Sequence, residues 1–381
     1  MACGGGGRGG TGWSSLPADL LLAVFALLPS DADRSRFRAV CAAWAAAAAA
    51  WRPGPWLVGS RTDRAGRGGG AVSSFWLSPT PGAGLLPFAA NVPAGLEYLS
   101  SSRGYLALSD PTASPKAIVL VNPVTGRRVR LPPIAFFKRV GGGGGRVPDD
   151  LPRYYSSTTG AWARLDFRAQ GYAGVEHYNG RFYVAFRSQI CVCEVVGGDA
   201  TAVIPLERAD GADDGDGSDD EKLLPPCGRR VVETHLVDCG GQLLLVSVHD
   251  DVVYNSDDDM AGLAVDDEGI SYAGDARAVE VHRVEWLGDG AVRLVRVADL
   301  GWNALFLGRN RAFALSPAEF PACRANCIYL VDRQGHPDGV VRVVDMESQW
   351  ARREETICPD DGPRGSSSAG WARRGWFFPN Y

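Results

Sequence analysis

Cys191 and Cys193 stand two apart and Cys323 and Cys327 four apart, and four thiolates would complete a tetrahedral zinc set. Neither pair has the two-residue spacer usual in structural zinc sites, so buried cysteines packed as small hydrophobes are the preferred reading and no metal is expected. The five histidines, His177, His235, His249, His282 and His336, are scattered, and none sits in H-E-x-x-H or beside a nucleophile motif. Gly4 to Gly10 formally matches G-x-G-x-x-G, but no strand-like run precedes it and the segment is low-complexity glycine. Residues 141–145 are all glycine and lack the Lys-Ser/Thr that completes a phosphate cradle. The acidic stretch 210–221 cannot be aligned on a calcium loop. No catalytic residue and no cofactor is expected from local motifs. A nucleophile and its base can meet from distant positions, so an enzyme stays open as a minor alternative.

Charge narrows the partners. A net charge of -5 and a pI near 5.6 offer no basic field for a phosphate backbone, so no nucleic acid and no membrane surface is expected. Only Lys116, Lys138 and Lys222 are lysine, so arginine carries almost all of the positive charge. The longest apolar run, Leu20 to Leu28, is too short to cross a bilayer, and the glycine-rich stretch before it has no signal-peptide core. Nine cysteines without an N-x-Ser/Thr sequon fit a reducing cytoplasmic or nuclear compartment with free thiols.

The elements that would position any chemistry fall into two regions. Residues 1–12 read as a disordered glycine-rich leader and residues 13–52 as a small helical module. Pro17 suits a first helical turn, and Leu20, Val24, Leu27 and Leu28 then make one apolar face while Leu21 and Phe25 make a second. Pro29 ends that helix. Phe37, Val40, Cys41 and Trp44 recur at i, i+3, i+4 and i+7, predicting a second amphipathic helix that runs on through Ala45 to Ala50 and stops before Pro53. About forty residues is close to the lower limit for an independent core, and a helix apolar on two sides needs cover on both.

From residue 56 the pattern is all-β: short apolar runs at 105–108, 117–121, 182–186, 190–195, 243–248, 279–286, 292–297, 313–315, 328–331 and 340–344, punctuated by Gly, Asn and Asp. A turn followed by an apolar strand recurs at Arg103-Gly104-Tyr105, Asn179-Gly180-Arg181, Gly240-Gly241-Gln242 and Gly308-Arg309-Asn310. Repeated four-stranded blades closing into a propeller over 56–381, with six or seven blades, account for length and pattern, and a β-sandwich stays open. Loops are expected near 141–150, 207–222 and 255–269. The fold class expected is therefore α+β multidomain, a small helical module followed by an all-β propeller.

Leu16-Pro17-Ala18-Asp19-Leu20-Leu21, Leu27-Leu28-Pro29-Ser30-Asp31 and Val40-Cys41-Ala42-Ala43-Trp44 resemble an F-box: the Leu-Pro opening, the Leu-Pro break and the Val-Cys-x-x-Trp ending stand at the family's distances. Residues 56–381 are similar to the kelch-like, β-propeller domain of plant F-box proteins of the KIB type, through Ser101-Ser102-Arg103-Gly104-Tyr105, Asn122-Pro123-Val124-Thr125-Gly126, Leu305-Phe306-Leu307-Gly308-Arg309-Asn310, Cys323-Arg324-Ala325-Asn326-Cys327-Ile328-Tyr329-Leu330 and Trp376-Phe377-Phe378-Pro379.

The resemblance implies a non-catalytic substrate receptor of a Skp-cullin-F-box ubiquitin ligase, with the F-box on the Skp adaptor and the propeller on a target protein the sequence does not name. By the same resemblance the adaptor contacts fall on Leu16, Pro17, Leu20, Leu21, Val24, Leu27, Leu28, Pro29, Val40, Cys41 and Trp44. The alternatives are an F-box interaction protein that promotes no turnover and, further off, a propeller enzyme.

Overall fold

A computed structural model describes residues 12–28, 31–51, 54–63, 72–79, 88–89, 92–93, 95–113, 115–134, 137–140, 145–148, 153–165, 172–186, 189–197, 199–208, 229–253, 265–266, 269–270, 278–288, 290–318, 320, 323–332, 339–347, 350–354 and 372–379. Helix α1 (Ala18–Ala26) follows a 3-10 turn at Trp13–Ser15, and α2 (Asp31–Ala39) and α3 (Ala42–Ala47) complete the helical part. Pro17 sits in extended backbone immediately before α1, and its carbonyl accepts the N–H of Leu21, so the residue without an N–H stands where none is needed.

The second helix is not continuous as its periodicity predicts. Cys41 adopts fully extended backbone and separates α2 from α3, and α3 ends at Ala47 instead of Ala50. The break turns Trp44 back onto Phe37, ring centroids 4.4 Å apart, and lets Phe25 meet both Phe37 and Trp51 edge-on. Leu21, Phe37 and Ala48 form the buried centre of this module, with Leu16, Phe25, Leu28, Trp44 and Ala47 packed around them. Aromatic packing wins over the helix propensity of the alanine run, whose methyl groups bury little area each.

Among the described residues the remaining regular structure is strand, carried by four sheets of four or more strands where six or seven blades are expected from the sequence. One sheet runs Ala372–Phe377, Trp56–Asp63, Val72–Pro79, Phe88–Ala89; a second runs Glu97–Ser102, Tyr105–Ser109, Ile118–Val121, Arg128–Arg130; a third runs Tyr172–Tyr178, Arg181–Phe186, Gln189–Val196, Asp199–Pro205. The fourth has ten strands. It contains the antiparallel meander Arg229–Cys239, Gln242–Val253, Ala278–Trp286, Ala291–Arg296, joined by the single residue pair Ala278↔Trp350 to the group Phe313–Leu315, Ala304–Leu307, Cys327–Asp332, Val340–Asp345, Trp350–Glu354. Successive units, antiparallel except where Ala304–Leu307 runs parallel to Cys327–Asp332, with the first completed by Ala372–Phe377, make this region a β-propeller. All ten apolar runs predicted as strands are strands.

The recurring turn has one geometry in three units. Arg103-Gly104, Asn179-Gly180 and Gly240-Gly241 all have positive φ at both positions and link the first two strands of their unit, as a type I′ hairpin requires. Gly308, in the fourth occurrence, answers a different need: a Cβ there would lie 3.2 Å from the Cα of Gly375.

Of the stretches expected as loops, 141–144, 149–150, 209–222, 255–264 and 267–268 lie outside the described residues, as do the leader 1–11, Pro29 and Ser30. Within those stretches Gly145–Pro148 pairs with Phe137–Val140, and Val265–Asp266 with Gly269–Ile270.

Successive units are welded by alternate strand positions. Leu236, Leu243, Leu245, Val284, Val292 and Leu294 pack on Tyr178, Tyr183, Ala185, Ile190 and Val192 of the preceding unit. The opposite face of the same sheet, Val237, Leu244, Val246, Val279 and Val281, packs on Leu305, Leu307, Ile328 and Leu330. Period-two alternation is what lets one sheet be buried on both sides.

Candidate functional site

Helix α1 sorts its apolar residues into two adjoining stripes. At ~100° per residue, Leu21, Phe25 and Leu28 share one side, and Leu20, Val24 and Leu27 share another about a quarter turn away. The first stripe faces the aromatic centre and Leu21 is only 1% exposed. The second faces outward, with Leu20 50% and Leu27 83% exposed, and Val24 is exposed too. Val40, at the end of α2, is 57% exposed.

Of the eleven residues carried by the F-box resemblance, Pro29 lies outside the described residues and the other ten divide. Pro17, Leu20, Val24, Leu27 and Val40 are exposed. Leu16, Leu28, Cys41 and Trp44 are half-buried, and Leu21 is core. Trp44 is tied down further by donating its Nε1 to the carbonyl of Trp13, 3.0 Å away. Trp13 and Leu22 are also exposed and were not singled out by sequence. Leu22 lies off both stripes, so spacing alone carries no signal for it.

In the propeller region the candidate chemical residues are placed as structure. Cys191 and Cys193 share one buried cluster with Val184, and burial pushes the Cys191 thiol up to about 12. Cys323 and Cys327 sit in a different cluster, and burial pushes Cys323 up to about 11. Protonated, buried thiols are poor nucleophiles and poor metal ligands. The two pairs belong to separate cores, and no three His, Cys, Asp or Glu among the described residues are arranged to hold a metal.

Sequence spacing could not reveal the polar staple where the propeller closes. The Ser101 hydroxyl donates to the Trp376 carbonyl, the Tyr98 hydroxyl donates to the carbonyl of Arg309 at 2.6 Å, and the Arg311 N–H donates to the carbonyl of Ser101 at 2.8 Å. The Trp376 N–H reaches Asn310 Oδ1 at 3.0 Å, and its indole Nε1 reaches the Tyr329 carbonyl at 3.0 Å. Arg311 also grips both carboxylate oxygens of the buried Glu176. Motif residues read as family markers in the sequence are thus joined by hydrogen bonds: Ser101, Asn310 and Tyr329 all bond to Trp376, and Arg309 is tied in through Tyr98.

A family model described as the KIB1-4 beta-propeller matches residues 150–349, more than half of the chain. The chain belongs to the KIB1-4 beta-propeller family. An F-box-like model matches residues 13–52, which are α1 to α3 and their flanks. An F-box followed by a KIB1-4 propeller is an architecture typical of adaptor proteins. Among solved structures, TolB from Acinetobacter baumannii aligns with a TM-score of 0.38 and 12% identity over 83% of this chain and 68% of that chain, and no functional reading rests on it. No curated protein matches the sequence. No helix among the described residues is long and apolar enough to cross a membrane.

Proposed function

We propose that this KIB1-4 protein is a non-catalytic substrate receptor of a Skp-cullin-F-box ubiquitin ligase, its F-box binding the Skp adaptor and its propeller a target protein. The observation that carries the reading is the outward stripe of Leu20, Val24 and Leu27 beside an inward stripe that already completes the module's own core. Burying one such side chain is worth ~1.5–3 kcal/mol, so three leave a strong incentive for a helical partner with an apolar groove. With Val40 exposed at the end of α2, the contact set reduces to Pro17, Leu20, Val24, Leu27 and Val40, with Leu16, Leu28, Cys41 and Trp44 at its edge.

In this reading the protein makes and breaks no bond. It holds target lysines near a charged conjugating enzyme, raising their effective concentration. A reducing cytoplasmic or nuclear compartment suits the free buried thiols. The test is co-purification of the full chain with a recombinant Skp-type adaptor, followed by ubiquitin transfer in a reconstituted cullin complex. Adaptor binding without transfer to any captured protein favours the interaction-only alternative, and no adaptor binding overturns the proposal.

A further inference from the structure

In the second sheet Arg128–Arg130 is the last strand and pairs on one side only, with Ile118–Val121. Asn122 donates its N–H to the Arg127 carbonyl at 2.8 Å, and Leu131 donates its N–H to the Ile118 carbonyl at 2.9 Å. Inward and outward backbone groups alternate along an antiparallel ladder, so residues 127, 129 and 131 bond into the sheet, and Arg128 and Arg130 turn their N–H and C=O to the open edge. Their side chains share one face, opposite Val121 and Val119, while Val129 lies on the other. Arg127, Arg128, Val129 and Arg130 are all exposed, and none of the three arginines has an ion-pair partner among the described residues.

Charge sets this edge apart. From residue 111 to residue 148 the sequence holds seven Lys and Arg and no Asp or Glu, in a chain whose net charge is -5. Lys116 is neutralised by Glu97, 2.6 Å away, whereas the edge arginines are not. Trp162 Nε1 donates to the Pro132 carbonyl at 2.7 Å and ties the hairpin of Arg153–Ser156 and Ala161–Arg164 to the chain two residues beyond Arg130. That hairpin ends in the directly opposed pair Arg153 and Arg164, which adds to the positive field. Edge arginines also repel other edges, but the outer strand Asp199–Pro205 of the third sheet carries no basic residue. We infer that Arg128–Arg130 is a docking edge for an extended acidic segment of a partner protein, which adds to the sheet as a fifth strand. Its backbone bonds to the outward N–H and C=O of Arg128 and Arg130, and Asp or Glu at alternate positions face the two guanidinium groups. Alternate residues are ~6.6–6.8 Å apart along either strand, so acid and arginine keep step.

The partner is the target protein of the receptor reading, and that word alone rests on it; the test contains no adaptor and no cullin, so either can fail without the other. The probe is a capped, fluorescein-labelled heptapeptide alternating Glu with Thr, titrated with the full chain and followed by anisotropy at low salt, where exposed charges are least screened. Saturable binding is expected, and replacing every Glu by Gln should weaken it at least ~10-fold. N-methylation of the Glu amides, which face the edge, should weaken it as much, whereas N-methylation of the Thr amides should leave it within ~2-fold. The double variant Arg128→Glu, Arg130→Glu should lose binding and keep the wild-type melting temperature; if it does not fold, Arg128→Gln, Arg130→Gln takes its place. Equal affinity for the Glu and Gln peptides, no difference between the two methylation patterns, or tighter binding of an oligouridylate of the same charge overturns the docking edge.

Discussion

Arg311, in the connection before Phe313–Leu315, clasps Glu176 of the strand Tyr172–Tyr178 through its Nε and Nη2, although the two lie 135 residues apart. The carboxylate is fully buried and the guanidinium about a third exposed, so the arginine can shed its partner into water and the glutamate cannot. Breaking a buried pair by removing one member leaves an uncompensated charge, which costs ~3–5 kcal/mol. Arg311→Ala is expected to fall in or just below that range in urea unfolding, and Arg311→Lys to recover only part of it, because one ammonium does not span two carboxylate oxygens.

The same glutamate sets a sign for pH dependence. Burial pushes the Glu176 carboxyl above its ordinary value, Arg311 offsetting only part of the effect and the charge of Asp238 adding to it. Its contribution to stability is therefore full below the ordinary glutamate value of 4.5 and declines as pH climbs through the raised value. Glu280 is the reverse. The hydrogen-bonding and charge of His249 hold its carboxyl low against burial, so its contribution is present above 4.5 and lost as pH falls through the lowered value. The stability gap between wild type and Glu176→Gln should narrow from pH 4 to pH 8, while that for Glu280→Gln should widen. Chemical denaturation of the three proteins at both pH values reads the two slopes, and equal signs would contradict the assignment.

Replacing Leu20, Val24 and Leu27 together with Ala should leave thermal stability within about 1 kcal/mol of wild type, since these side chains are all more than a third exposed. Adaptor binding in calorimetry should fall at least 100-fold. Phe37→Ala should act the other way round: it removes a ring packed edge-on against Phe25 and tilted against Trp44 and costs ~3–5 kcal/mol. Equal losses of stability in both variants would show the stripe to be core.

Trp376→Ala deletes a fully buried ring packed edge-on against Phe306 and Tyr329 and severs the bond to the Tyr329 carbonyl. A loss of ~3–5 kcal/mol is expected, and Trp376→Phe should retain part of the packing while still orphaning that carbonyl. Guanidinium unfolding midpoints order the three proteins.

Arg103 is the exception among the hairpin turns, a long side chain at φ 46 where its counterparts are Asn179 and Gly240. Left-handed backbone costs a non-glycine residue roughly 1–2 kcal/mol. Arg103→Gly is expected to raise the melting temperature by a few degrees, and a fall would show that the side chain makes a stabilising contact worth more than the strain.

Much of this was legible before any coordinates. Strands such as Cys327–Asp332 and Gln242–Val253 announce themselves because runs of Val, Leu and Ile buried on both faces leave little else to be. Glu97–Ser102 and Ala372–Phe377 escaped: their serines and arginines read as loop, and only the distant partners Trp376, Ser60 and Arg309 make those polar groups at home in a sheet. In the helical module, spacing separated the two stripes of α1 except for Leu28, which it grouped with Leu20, Val24 and Leu27 and which packs inward with Leu21 and Phe25, and it could not say which stripe turned inward. That depends on Phe37, Trp44 and Trp51 converging on Phe25 and Leu21, and the interruption at Cys41 that allows it has no glycine or proline to mark it.

The strand Trp56–Asp63 takes one of its two neighbours from Ala372–Phe377, and Arg374 reaches back 314 residues to the hydroxyl of Ser60. A chain emerging from the ribosome must then carry an open hydrogen-bonding edge, with Trp56 and Leu57 uncovered, until residues 372–377 have been made. A premature stop at residue 371 would remove the strand that clasps the ring and would leave that edge open permanently. Truncated transcripts should thus yield clients for chaperones and proteases instead of shortened but serviceable copies.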